Sequence, residues 1–376
     1  VFDSGSLMGI PEKIKAIQDE MARTQINKAT EHHLGLLKAK IAKLRREQED
    51  RETRTSGAKQ DGFDVRRTGD ATVVFIGLPS VGKSTLLNKL TGASSAVGAF
   101  QFTTLTVVPG MMEYRGAKIQ VLDLPGIIKG AATGRGLGKR ILSVARSADL
   151  VLLILDVFQP YHRDILVSEL GNMGIRLNRL PPNIAIEKSS SGGISIAQQV
   201  KLTRITESHL KDILHLYGIV NARVVVREDI TSEQLTDCIT GNICYSKGLT
   251  VLNKIDLVDE DFLQNMMPKL GTDVVEVSAE SGYNIDLLKR RIYQELGFIR
   301  IYMRPKGGET DFEEPLIARE GDTVEDICAK LHRHMKRGFR YGLVWGKSVR
   351  FGGQRVGLSH ILEDEDVLTI VKTKGI

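Results

Sequence analysis

The chain has 376 residues, with 52 Lys and Arg against 46 Asp and Glu and 41% hydrophobic residues, which excludes a disordered or fibrous protein. At roughly 150 residues per domain it can form two or three domains, each able to bury a core, and its net charge of +6 names no partner by itself. Cys238, Cys244 and Cys328 form no CxxC pair, which argues against a disulfide framework or structural zinc and for a reducing, cytoplasmic setting.

Residues 1–10, VFDSGSLMGI, lack the basic start and apolar stretch of a secretory signal and are set aside as an expected appended remnant. Residues 11–68 are expected to be helical. Apolar residues at Ile14, Ile17 and Met21, then at Leu34, Leu37, Ile41 and Leu44, predict two amphipathic helices, with Pro11 near the first start and Thr30 as N-cap of the second. Thr53 to Gly62 reads as a linker. Buried-type strands follow at Ala71–Gly77, Lys118–Leu122, Leu150–Val157, Thr250–Asn253 and Asp273–Val277, alternating with helices at Lys83–Thr91, Gly136–Ser147 and Ile285–Leu296. This alternation predicts an α/β domain over 69–298 with a mainly parallel sheet and helices on both faces. Residues 299–376 read as a small α+β module, with strands at Arg300–Met303, Leu343–Val344 and Val367–Val371 and a helix at Val324–Lys336 opened by Thr323 and Asp326. The longest apolar run, Leu150 to Leu155, is far short of the roughly 20 residues of a membrane span, so no membrane contact is expected.

The strongest chemical signal is Gly77-Leu78-Pro79-Ser80-Val81-Gly82-Lys83-Ser84, a GxxxxGK[ST] motif between a predicted strand and a predicted helix. Its amides and the helix N-terminus would cradle phosphate oxygens, Lys83 would neutralise the β and γ phosphates, and Ser84 would ligate Mg²⁺. Asn253-Lys254-Ile255-Asp256, at the end of an apolar strand, chooses the base. The Asp256 carboxylate can accept from guanine N1–H and the 2-amino group, Asn253 would brace base and phosphate loop, and the Lys254 stem would cover one base face. Ser278-Ala279 would offer an amide to guanine O6. Asp123-Leu124-Pro125-Gly126 places Asp123 to hold Mg²⁺ through water and Gly126 to meet the γ-phosphate. Phe102-Thr103-Thr104 is the candidate segment that contributes a hydroxyl to the metal, either Thr being eligible. Loss of the γ-phosphate would release both segments, which makes a switch.

Asp123 and Asn253 are 130 residues apart, against roughly 60 in a minimal domain of this kind, so an α+β subdomain is expected between about Gly174 and Gly241. Its predicted elements are strands at Ile184–Glu187, Gly193–Ile196 and Ala222–Arg227 and a helix at Ser208–Leu216. Charge is also localised. No Asp or Glu occurs from Ile327 to Leu362, while Lys330, Arg333, Lys336, Arg337, Arg340, Lys347, Arg350 and Arg355 fall there, interleaved with Phe339, Tyr341, Trp345 and Phe351. With Lys38, Lys40, Lys43, Arg45 and Arg46, these are the candidate RNA contacts, set against the plainer reading of solvated helix faces and a small aromatic core.

The phosphate loop GLPSVGKST, the FTT segment, DLPG followed by Ile127-Ile128-Lys129-Gly130, the run Gly134 to Gly138, NKID, IRIYMRPK from Ile299, KIKAIQDEMARTQ and LSHILEDEDV together resemble the Obg-related GTPases. Within these the developmentally regulated GTP-binding (DRG/Rbg) subfamily matches best, over nearly the whole chain. The resemblance implies a helix-turn-helix N-terminus, a P-loop GTPase domain interrupted by a subdomain like the second domain of ribosomal protein S5, and a C-terminal, ubiquitin-like TGS domain. It implies GTP/GDP and Mg²⁺ as ligands, association with ribosomes (ribosomal RNA or tRNA) in translation, and a dedicated regulatory protein partner. Carried over residue by residue, Gly77 to Thr85, Phe102 to Thr106 (with Leu105), Asp123 to Gly126, Asn253 to Asp256, Ser278 and Ala279 contact nucleotide. Ser84, Thr104 and Asp123 serve the metal, and Lys83, Thr104 and Gly126 are the candidate catalytic groups. The residue after DxxG is Ile127, which cannot orient water, so slow intrinsic hydrolysis is expected. K⁺ stimulation is left open by Ser80, where K⁺-activated GTPases commonly carry Asn. The competing expectation is a nucleotide-sensing scaffold that binds proteins through the TGS module and barely hydrolyses GTP.

Overall fold

The computed structural model describes residues 9–25, 27, 30–55, 68–92, 100–102, 105–124, 143–271, 273–331 and 335–373. In chain order the elements begin with α1 (Ile10–Arg23), α2 (Glu31–Thr55), β1 (Ala71–Ile76), α3 (Lys83–Thr91), β2 (Phe100–Phe102), β3 (Leu105–Tyr114), β4 (Ala117–Asp123) and β5 (Leu150–Asp156). They continue with α4 (His162–Asn172), β6 (Ile175–Leu177), β7 (Ile184–Lys188), β8 (Ile194–Gln198), α5 (Glu207–Leu216), β9 (Ala222–Val226), α6 (Ser232–Thr240) and β10 (Cys244–Asn253). The last are α7 (Glu260–Leu270), β11 (Val274–Glu276), α8 (Ile285–Glu295), β12 (Phe298–Met303), β13 (Leu316–Arg319), α9 (Val324–Leu331), β14 (Phe339–Trp345), β15 (Gln354–Val356) and β16 (Asp366–Lys372). They form two compact units, Val1–Gly62 with Arg179–Tyr245 and Phe63–Asn178 with Ser246–Ile376.

In the second unit an eight-stranded sheet runs β11-β10-β5-β1-β4-β3-β2, with β6 also paired to β10. The strands from β11 to β4 are mutually parallel. Every residue of β1 is buried, and β5 is buried except at Asp156, the pattern of strands covered on both faces. The sheet turns antiparallel at β3 and β2, because Arg115 and Gly116 both take positive φ and close a two-residue hairpin from β3 to β4. Asp123, Asp156 and Asn253 thus end three parallel strands at the same, carboxyl edge of the sheet, where ligands of such folds bind.

The C-terminal module in this unit is a five-stranded sheet ordered β13-β12-β16-β14-β15 over α9. Its core holds Ile301, Val324, Ile327, Cys328, Val344 and Leu368. Ile317 and Phe298 instead join the hydrophobic core of the parallel sheet, and Tyr293 stacks edge-on with both Tyr114 and Phe298. An Arg319–Asp149 ion pair of 2.6 Å adds a polar tie, with Asp149 also accepting from the Thr72 amide. The module is therefore packed onto the parallel-sheet domain.

In the first unit β7, β9 and β8 form a small sheet, with β9 antiparallel to β7 and parallel to β8. Its core of Leu210, Ile213, Leu214, Val224, Val226 and Leu235 includes Ala39 of α2. The N-terminal helices pack on each other through Ile17, Leu37 and Ile41. Tyr217 donates to the Ala39 carbonyl, so α2 is built into the inserted subdomain rather than standing apart from it.

Several expected bounds change. Strand β6 belongs to the large sheet, and Asn178 closes against the Gly248 amide and carbonyl, so the inserted segment begins after Asn178 rather than near Gly174. The strand expected at Thr250–Asn253 extends back to Cys244. Helix α9 is described over Val324–Leu331, residues 332–334 lie outside the described residues, and residues 335–338, expected to reach the helix end at Lys336, form a turn that leads Phe339 into β14 and its core. The Thr323–Asp326 capping pair is present at its start, the two residues exchanging side-chain to amide hydrogen bonds. Thr30 does precede α2, but its hydroxyl turns back to the carbonyls of Gln25 and Asn27. Helix α2 extends through Thr55, into the expected linker. Of the helix expected over Gly136–Ser147, residues 143–147 are helical and 136–142 lie outside the described residues.

Candidate functional site

The phosphate-loop motif links β1 to α3, and its glycines are required by close approach. A Cβ on Gly77 would lie 2.6 Å from the Ile154 carbonyl oxygen, and one on Gly82, whose φ is +90°, would lie 2.3 Å from Asn253 Nδ2. Lys83 opens α3, is buried, and donates from Nζ to the carbonyls of Gly77 and Leu78 at 3.2 and 2.9 Å. Ser84 Oγ donates to Asp123 Oδ2 at 2.8 Å. Burial holds the Asp123 carboxyl above the usual carboxylate range, opposed by the Ser84 hydrogen bond and the charge of Lys83. Burial likewise lowers the Lys83 ammonium, opposed by Asp123. Asp123 Oδ1 is buried with no hydrogen-bond partner among the described residues.

The NKID segment closes the other side. Asn253, 1% exposed, donates from Nδ2 to the Val81 carbonyl and accepts from the Ala279 amide at Oδ1, both at 2.9 Å. Lys254 takes a left-handed φ of +68° and opens a short 3₁₀ turn, Ile255–Leu257, that leaves Ile255 buried and Asp256 exposed. Ser278 is fully buried, and its hydroxyl accepts from the Ser281 amide, which shapes the loop after β11. Behind this loop a cavity of about 930 Å³ is lined by Ile255, Asp256, Leu263, Met267, Ser278 and Tyr283, a feature with no signature in the sequence.

The structure thus brings together Gly77, Ser80, Val81, Gly82, Lys83, Ser84, Asp123, Asn253, Lys254 and Ala279, with Leu78, Pro79, Thr85 and Leu124 as chain neighbours. Phe102 ends β2, and Leu105 and Thr106 open β3. Thr103, Thr104, Pro125, Gly126, Ile127, Arg135 and Arg333 lie outside the described residues. Sequence reasoning missed Asp156, whose Oδ2 lies 2.7 Å from Lys254 Nζ. Its signal was available: an acid ending an apolar parallel strand, as Asp123 does.

The basic clusters divide. Lys43 Nζ donates to the Leu216 carbonyl at 2.8 Å and Arg46 to the Thr240 carbonyl at 3.0 Å, which places cations at the C-terminal ends of α5 and α6. Both therefore have a structural role of their own, with Lys43 partly buried and Arg46 still exposed. Lys38 and Lys40 are exposed and Arg45 is partly buried. Lys330 pairs with Asp322 and Lys336 with Glu325. Arg337, Arg340, Lys347, Arg350 and Arg355 are exposed, with no ion pair of their own among the described residues. The aromatics expected to stack on bases are largely committed elsewhere. Phe339 packs on the module core, Tyr341 lies under Arg355 and Arg340, Trp345 lies under Arg304, and Phe351 remains 66% exposed.

No helix among the described residues is long and apolar enough to cross a membrane. Residues 72–188 match a family model described as 50S ribosome-binding GTPase, 191–298 match the C-terminal region of that domain, and 299–372 match the TGS domain. A GTP-binding protein of Methanocaldococcus jannaschii is 54% identical, over 98% of this chain and 94% of its own. Developmentally regulated GTP-binding protein 2 homolog of Dictyostelium discoideum is 47% identical, over 97% of this chain and 100% of its own. Developmentally regulated GTP-binding protein 1 of Xenopus laevis is 46% identical over the same shares. Similarity at this level across GTPase and TGS domains alike, with the phosphate loop and NKID joined as described, means that the chain belongs to the family of developmentally regulated GTP-binding proteins.

Proposed function

We propose that the chain is a Mg²⁺-dependent GTPase switch with slow intrinsic turnover that associates with ribosomes through RNA contacts and acts in translation, in the cytoplasm. The observation that carries the enzymatic part is the meeting of Lys83, Ser84 and Asp123 at the edge of β1 and β4, with a buried Asp123 oxygen left unpaired. A buried, unsatisfied carboxylate oxygen is costly, and hydroxyl plus carboxylate is the hard oxygen set that suits Mg²⁺. Ser84 and Thr104 would hold the ion, with Asp123 acting through water. Bound there, Mg²⁺ supplies neutralisation of charge on the β and γ phosphates. Lys83 adds the cation of the phosphate loop, the backbone N–H groups of Ser80 to Ser84 orient the phosphates, and the Gly126 amide responds to the γ-phosphate.

Ile127 supplies no hydrogen bond to an attacking water, which supports slow turnover until another group completes the site: K⁺ held near Ser80, the ribosome, or a dedicated regulatory protein. Phosphate release from GTP by the full chain tests this, with Mg²⁺ or EDTA and in K⁺ or Na⁺. Slow, Mg²⁺-dependent turnover is expected, whereas tens of turnovers per second without a partner contradict it. Equal rates in K⁺ and Na⁺ remove the cation from the account.

The ribosomal part is supported by the five exposed cations of the TGS module and by the ribosome-binding description of the matched family model. Phosphate contact by Arg and Lys, rather than base stacking, is the mode these side chains favour, since Tyr341 and Trp345 are already covered by guanidinium groups. A scaffold that binds proteins through the TGS module with little hydrolysis is the second reading, favoured by Ile127.

A further inference from the structure

We infer that Asp156 is a positioning residue of the guanine-nucleotide site, acting through Lys254 on the phosphate loop. The inference rests on the GTP binding shared by the family, and adds a residue that none of the site's motifs contains.

Asp156 ends β5, directly across from Asn253 of β10 in the parallel register. Its Oδ1 accepts from the Phe158 amide at 3.0 Å, which fixes the carboxylate plane. Its Oδ2 then accepts from Lys254 Nζ at 2.7 Å, and the same ammonium donates to the Ser80 carbonyl at 2.8 Å. The two side chains are 15% and 32% exposed, shielded enough for the pair to be worth more than a surface ion pair. Asn253 holds the Val81 carbonyl, so adjacent residues of NKID hold adjacent carbonyls of the phosphate loop.

The two bonds differ in kind. Asn253 is buried and fixed from both ends, by Val81 and by Ala279, and needs no further help. Lys254 is a long, flexible chain with a strongly hydrated head, and a neutral carbonyl alone would hold it poorly against water. A fixed carboxylate changes that balance, because a charge-assisted hydrogen bond is about twice as strong as a neutral one. Asp156 thereby holds the Lys254 stem extended beside the base position and clamps Ser80, a non-glycine residue at φ +65° whose left-handed conformation needs external support. Neither effect depends on which purine edge is read, so the contribution falls on guanine nucleotides as a whole and leaves base choice to Asp256.

The test is the dissociation rate of a fluorescent GDP from the full chain carrying Asp156→Asn, Lys254→Met or both. Asp156→Asn retains an acceptor for the Phe158 amide and removes only the charge, while Lys254→Met keeps an apolar stem. Each single change is expected to speed release about tenfold, the worth of one charge-assisted hydrogen bond, and the double change no more than either. The ratio of GDP to inosine diphosphate affinity should stay at the wild-type value in all three. Release from Asp156→Asn within twofold of wild type overturns the inference, as does a full further loss when Asp156→Asn is added to Lys254→Met. Wild-type protein that failed to bind GDP would instead overturn the nucleotide reading itself, so the two failures are distinct.

Discussion

Asn253 and Val81 lie 172 residues apart and are joined by a buried 2.9 Å hydrogen bond from the Asn253 amide to the Val81 carbonyl. The other end of the same amide holds the Ala279 backbone, so one side chain fixes the phosphate loop and the base-contacting loop in a single arrangement. Asn253→Ala leaves a buried carbonyl and a buried amide unpaired, each costing about 1–3 kcal/mol. GDP affinity is expected to fall by roughly two orders of magnitude, with a lower melting temperature, both measurable by nucleotide titration and calorimetry.

Asp256 is exposed on its 3₁₀ turn, so its carboxylate is available to a base without disturbing the fold. Asp256→Asn exchanges one acceptor for a donor, which mismatches the guanine 2-amino group and matches the 2-oxo group of xanthine. The variant should lose GDP binding and gain xanthosine diphosphate binding, a reversal of at least about tenfold given the price of an unpaired hydrogen-bonding group, read by competition against fluorescent nucleotide. Unchanged GDP affinity would remove Asp256 as the base reader.

His209 predicts a pH dependence in the inserted subdomain. Its ring is 5% exposed, lies tilted against His32 with centroids 4.0 Å apart, and has an unpaired Nε2; its pKa is lowered from 6.5 to about 4, first by burial and then by the neighbouring His32, with Asp212 opposing. The folded state therefore refuses a proton that the unfolded chain accepts. Stability contributed by the neutral ring is complete above pH 6.5 and is lost as pH falls towards about 4. Urea unfolding followed by circular dichroism should show a midpoint that drops over this window in wild type and drops less in His209→Gln.

The arginines and lysines separate into two experimental classes. Arg337→Ala and Arg350→Ala should weaken ribosomal RNA binding without affecting folding and reduce its salt dependence, each lost phosphate contact lowering the logarithmic slope by about 0.7–0.9. Lys43→Ala and Arg46→Ala should instead lower stability by roughly 0.5–2 kcal/mol, through loss of cations from the ends of α5 and α6. RNA binding at 25 °C should be unaffected by these two. Filter binding at several salt concentrations, beside thermal melts, checks both halves.

Much of the parallel sheet was legible because β1 and β5 are apolar runs with no competing helical period, and α3 was placed by the motif before it. The edge was not: β3 carries Pro109 and Gly110 and reads as neither strand nor helix, yet its pairing with β4 overrides local preference. Helix α6 was missed although Thr231 and Gln234 form a reciprocal capping box at its start, a signal visible in the letters. The occupation of Lys43 and Arg46 could not be read, since the carbonyls they hold are 173 and 194 residues away. Separation along the chain also hid the role of Asp156, whose partner lies 98 residues away in a motif that is legible without it.

In the proposed switch, nucleotide state governs ribosome association. Cosedimentation of the full chain with ribosomes, in GDP and in a non-hydrolysable GTP analogue across a salt series, addresses it directly. Pelleting is expected to be stronger with the GTP analogue, to fall as salt rises, and to be reduced by Arg337→Ala with Arg350→Ala. Pelleting that is absent, or equal in the two nucleotides and insensitive to salt, contradicts the switch and leaves the protein-binding scaffold as the better description.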